Sequence, residues 1–138
     1  MKKLFATLFL CLLSTFSYAQ IEGKWKTIDD ETGKPKSIVE IYKKSDGKYY
    51  GKVNQLLIKP ESPTCVKCKD DRKNKPILGL EIIRGLSKDG NEFSGGTIVN
   101  PKDGKTYKTE LVREGNKLKV KAIVMGIAMK TQTWLKVD

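Results

Sequence analysis

The chain contains no histidine. That absence removes Ser-His-Asp and Cys-His nucleophile systems, His-ligated metal sites and the imidazole pH switch. Cysteine is scarce, at three residues. Two of them stand as Cys65-Val66-Lys67-Cys68, and Lys69 follows where covalent haem attachment would need a histidine. No stretch has convincing amphipathic helical spacing. The longest apolar run, Leu4 to Leu13, is broken only by Thr7 and falls short of the roughly 20 residues that span a bilayer. Carboxylate, lysine or cysteine chemistry remains open to such a chain, but the commonest catalytic tools are missing.

What is present begins with a leader. Lys2 and Lys3 precede the apolar run, and Ser17-Tyr18-Ala19 puts small residues where a signal peptidase reads. Residues 1–19 read as a secretory signal peptide, leaving one domain over residues 20–138. Cys11 lies inside the apolar run, not after small residues at its end, so a lipid anchor is not expected. Loss of Lys2 and Lys3 takes the formal net charge from +11 to +9. A basic exported protein is drawn to anionic envelope surfaces. Nucleic acid is not expected as a partner in that compartment, nor is a membrane-spanning segment. The lysines are spread along the strands, so a solvated basic surface competes with a dedicated anion site.

Glycine turns supply the architecture. Thr32-Gly33-Lys34, Asp46-Gly47-Lys48, Asp89-Gly90-Asn91, Asp103-Gly104-Lys105 and Glu114-Gly115-Asn116 separate segments of strand length. The expected strands are Gly23–Ile28, Lys36–Lys43, Lys48–Ile58, Leu78–Ser87, Glu92–Val99, Lys105–Arg113, Lys117–Val124 and Lys130–Val137. Within them Val39 and Ile41 share a face, as do Tyr107, Thr109 and Leu111. Leu118, Val120, Ala122 and Val124 point inward against Lys117, Lys119 and Lys121. Leu80, Ile82 and Leu86 are expected to alternate against Glu81 and Ile83. The fold class is all-β: a small antiparallel up-and-down barrel of about eight strands, with a Greek-key sandwich as competitor. An eight-stranded interior is either filled by side chains or holds one small ligand.

Two segments break the pattern. Gly95-Gly96 marks a bulge or sharp bend. Ala122 to Met129 is apolar apart from Gly126 and reads as a strand end and bend buried on both faces, or as an apolar mouth in which Met125 and Met129 adapt to a ligand. Asp29-Asp30-Glu31 before Thr32-Gly33 reads as turn chemistry, since it lacks calcium-loop spacing.

Lys59 to Ile77 is the one long connection, with Pro60, Pro63, Pro76, Cys65 and Cys68. Long loops in compact domains are functional or tied down. Three readings stay open for the cysteines: a local disulfide in an oxidising compartment, a redox pair favoured by Lys67, Lys69 and Arg72, or half of a zinc site completed by Asp70, Asp71 or a second chain.

Gly23-Lys24-Trp25 on the first strand, with Trp134 on the last, resembles the opening of lipocalin-like barrels, where the tryptophan plugs one end. In order along the chain follow Asp30 to Lys34, Cys65 and Cys68, Pro76-Ile77-Leu78-Gly79, Gly95-Gly96-Thr97-Ile98, Pro101 to Tyr107 and Thr131-Gln132-Thr133-Trp134. This order resembles the exported bacterial family called domain of unknown function 2147. Asn100 stands where that family often has Asp, and Lys136 where it often has Arg. The resemblance implies export and a barrel; it brings no catalytic residues.

The leading functional expectation is a non-enzymatic, monomeric binding module of the envelope, periplasmic or extracellular, for a small apolar or amphipathic ligand. Candidate ligand residues are Trp25, Tyr50, Tyr107, Met125, Met129 and Trp134, and no cofactor is expected. The alternatives are an interaction protein working through its basic face and a thiol-redox protein using Cys65 and Cys68.

Overall fold

A computed structural model describes residues 20–138, with Met129 described for its backbone alone. The leader read at residues 1–19 lies outside the described residues. Eight strands run in chain order: β1 Gly23–Ile28, β2 Pro35–Lys43, β3 Tyr49–Leu56, β4 Glu81–Asp89, β5 Glu92–Asn100, β6 Lys105–Glu114, β7 Lys117–Val124 and β8 Ile127–Val137. Each pairs antiparallel with the next, and β8 returns to β1, closing a barrel. Up-and-down order with short turns needs no crossover, and closure removes both sheet edges.

The barrel has unlike ends. At one end lie the turns β2–β3, β4–β5 and β6–β7 and the chain ahead of β1. Here the interior is solid. Trp25, Trp134, Phe93, Ile41, Ile83, Leu86, Leu111, Leu118 and Val39 are all sealed from solvent. Tyr49 meets Phe93 edge to face with ring centroids 5.0 Å apart. Trp25 closes this end. Its Nε1–H donates to the Ile21 carbonyl at 2.8 Å, and the Arg113 guanidinium lies 5.3 Å from its ring centroid, with Lys136 Nζ at 5.5 Å. Position 136 carries only an ammonium, but Arg113 supplies a guanidinium over the same ring.

The other end carries the turns β1–β2, β5–β6 and β7–β8 and the long β3–β4 connection. Inward positions become smaller and more polar towards it. Thr27 Oγ1 and Ser37 Oγ lie 2.7 Å apart, and Thr109 Oγ1–H donates to the Lys121 carbonyl at 2.7 Å. Such buried hydroxyls are stable because each finds a partner.

Two local expectations need correction. Ile83 does not oppose Leu86: both are fully buried. Gly85 takes φ +74° between them. The β3–β4 register shifts there, with Ile83 to Leu86 facing only Gly51 to Tyr49, so an extra residue on β4 resets the alternation. Gly95, at φ +83°, lies across the in-register β4–β5 ladder. Gly96 completes this bend, since a Cβ there would come within 2.3 Å of the Arg84 carbonyl oxygen. The apolar segment Ala122 to Met129 is not a doubly buried bend either. Met125 and Gly126, at φ 53° and 79°, form a two-residue turn between β7 and β8, and Met125 and Ile127 are exposed at 94% and 66%.

Candidate functional site

The long connection folds back over the barrel at its open end. Cys65 and Cys68 form a disulfide whose residues are almost wholly buried. Cys65 Sγ approaches the Pro101 carbonyl at 3.8 Å. Backbone bonds fold the loop on itself: Asn74 N–H donates to the Cys65 carbonyl at 2.8 Å and Ile77 N–H to the Pro63 carbonyl at 2.9 Å. The loop is then fixed to β3 and β4. Val53 N–H donates to the Leu80 carbonyl and Gly79 N–H to the Val53 carbonyl. Arg72, with 3% of its surface exposed, binds Asp70 through Nε and Nη2 and donates from Nη1 to the Glu81 carbonyl at 2.9 Å. Arg84 reaches out from β4 to Asp71 at 2.8 Å and Glu81 at 2.7 Å.

These arrangements set the local electrostatics. The Arg72 hydrogen bonds hold the Asp70 carboxyl far below the usual carboxylate range, outweighing its partial desolvation. Burial pushes the Glu81 carboxyl up, but Lys44, Tyr42 and Arg84 together draw it below its ordinary value. Burial and the Glu81 hydrogen bond raise the Tyr42 phenol to about 12. Every charge in this group thus has a partner, and the group works as an anchor for the loop.

Where the loop meets β6 and β7 it leaves an open cleft of about 500 Å³, lined by Lys69, Asp70, Val99, Gly104, Lys105, Thr106, Tyr107 and Val124. That volume lies in the range of small-molecule sites. Tyr107 continues the inward row of Thr109 and Leu111, and Val124 that of Val120 and Ala122, so both side chains belong to the barrel mouth. Val99 has the opposite parity and is buried because the loop covers it. Across the mouth, Lys102 Nζ contacts Glu31 Oε1 at 3.4 Å. This joins the β5–β6 turn to the β1–β2 turn, which stand on opposite sides of the ring of strands.

A second cleft of about 530 Å³ lies where β1 and β8 part, between Ile28, Asp29, Asp30 and Gly33 on one wall and Thr131 to Thr133 and Leu135 on the other. The β1–β8 ladder has only three rungs, Lys24 to Lys26 against Val137 to Leu135. Beyond it the strands are linked by side chains: Asp30 accepts from Gln132 Nε2 at 2.9 Å and pairs with Lys130, and Gln132 Oε1 accepts from Trp134 Nε1 at 3.0 Å.

The six candidate ligand residues do not form one site. Tyr107 lines the mouth cleft. Trp25 is the plug of the closed end, and Trp134 lies within the core. Tyr50 stands on the outer face, stacked at 6.3 Å on Tyr42 and bonded to Asp46. Met125 is the tip of the β7–β8 turn, and Met129 lies on β8. Lys69, Lys105 and Val124 complete the cleft but were not among the sequence candidates. The Pro101–Tyr107 motif and Gly104 were the available signals, because a bare glycine at a positive φ invites close approach.

A structure that resembles this one is that of protein HP1028 from Helicobacter pylori, described as belonging to the lipocalin family. The similarity has a TM-score of 0.74 at 22% identity and covers 87% of this chain and 84% of that one. It establishes a lipocalin-like barrel. No curated protein matches the sequence. The family model for DUF2147, described as an uncharacterized protein conserved in bacteria, matches residues 23–136, and the chain belongs to that family.

Proposed function

We propose that the protein is an exported, non-enzymatic binding module of the bacterial envelope that takes a small amphipathic ligand at the open end of its barrel. The observation that carries this reading is the contrast between the two ends. The closed end is packed solid, whereas the mouth leaves the inward side chains Tyr107 and Val124 accessible in a cleft of small-molecule size. Export is supported by the leader read at residues 1–19 and by the Cys65–Cys68 disulfide, which suits an oxidising compartment. The thiol-redox alternative is disfavoured because both cysteines are buried, out of reach of an attacking thiolate.

Native mass spectrometry of the protein purified from its own host tests the reading. The expected spectrum is that of a monomer beginning at Gln20 and carrying a small adduct that organic extraction removes. A ligand-free protein that also fails to take up added lauric acid or lauryl alcohol would refute the binding role.

A further inference from the structure

We infer that the ligand carries an anionic head group, held by Lys69 and Lys105 at the rim of the mouth cleft, with its apolar part against Tyr107 and Val124. This rests on the binding reading above and adds the chemistry of the occupant. The charged residues lining the cleft are Lys69, Asp70 and Lys105. Asp70 is already neutralised, since Arg72 bonds both of its carboxylate oxygens at 2.6–3.1 Å. Asp103, next to the cleft, is engaged in its own turn, where Oδ1 accepts the Lys105 backbone N–H at 2.8 Å. Among the described residues, neither the Lys69 nor the Lys105 ammonium has an ion pair. The Tyr107 hydroxyl likewise has no protein partner there. The rim therefore offers two unneutralised cations and a phenol beside an apolar wall, which matches an anionic amphipath and leaves a neutral one without head-group partners.

The two lysines come from distant parts of the chain. Lys105 opens β6. Lys69 follows Cys68 and is brought to the cleft by the disulfide-pinned loop, whose Lys67 backbone lies against Gly104. The loop thus contributes half of a charged rim that β6 alone would not provide.

Laurate and its uncharged counterpart lauryl alcohol test the inference by titration of the mature protein at neutral pH and low salt. Laurate is expected to bind at least about tenfold more tightly, because a hydrogen-bonded charge pair is lost with the neutral head. In the double variant Lys69→Ala/Lys105→Ala, with folding checked by circular dichroism, the two probes should bind alike while the alcohol keeps its wild-type affinity. High salt should shrink the preference in the wild-type protein. Equal binding of both probes by the wild type would overturn the anionic head and leave the binding role standing. A preference that survives the double substitution would overturn the assignment to these lysines. Failure of both probes to bind would remove the inference together with the reading beneath it.

Discussion

Gly104 lies against Lys67 so closely that an added Cβ would come within 1.9 Å of the Lys67 carbonyl oxygen, a backbone atom with little room to yield. Gly104 also takes φ +74°. Both conditions require glycine. Gly104→Ala should lift the disulfide loop from the β5–β6 turn and cost about 2–3 kcal/mol, combining the backbone penalty with lost packing. Chemical denaturation would give the loss, and amide exchange should rise first over residues 65–75. Unchanged exchange there would mean that the loop does not depend on this contact.

The cover over Trp25 predicts unequal roles for two cations. Arg113 bonds the carbonyls of Gln20 and Gly115 in addition to lying over the ring, whereas Lys136 bonds the Val137 carbonyl. Arg113→Ala should therefore destabilise by about 1–2 kcal/mol and Lys136→Ala by about half as much. Both should shift the Trp25 fluorescence, measured in a Trp134→Phe background. Equal losses would show that the guanidinium has no special place there.

Asp70 predicts a pH signature. Its carboxyl is held far below its ordinary value by Arg72, so the folded state binds fewer protons than the unfolded chain. The stabilisation is fully present above the unfolded value of about 4 and is lost as pH falls through the depressed folded value. Asp70→Asn should therefore be less stable than the parent at neutral pH, and the two stability curves should begin to draw together only as pH falls below about 4. Parallel curves throughout would mean that the Arg72 pair contributes nothing.

The disulfide closes a very short loop, for which chain-entropy reasoning gives only about 2 kcal/mol. Cys65→Ala/Cys68→Ala should thus remain a folded barrel with a lower melting temperature. Because both cysteines are buried, the wild-type bond should resist mild reductant in the native state and yield once denaturant opens the loop. Rapid native reduction would reopen the redox reading.

Much of the barrel was legible where turns and alternation agreed. β1 and β7 begin and end at the residues read from the sequence, because Gly23 and the Glu114-Gly115-Asn116 turn mark their boundaries. β4 was read too early, since Gly79 and Leu80 bond to Val53 without joining the regular ladder. The reset at Gly85 was illegible because it is a register shift of β4 against β3, which only the pairing identifies. Met125-Gly126 lacks the usual Asn-Gly or Asp-Gly signal, so hydrophobicity masked a turn. The candidate site was the least legible part. Tyr107 could be found from its inward row, but Lys69 is one of many lysines until the loop is docked.

The three-rung seam between β1 and β8 has a consequence for how the molecule is made. It joins the first strand to the last, so one of the barrel's shortest ladders bridges the greatest distance along the chain. Such a contact is entropically expensive and forms late. The barrel cannot close until β8 is available to pair with β1. The same seam would be the first to part under thermal stress, before the ladders that join neighbours.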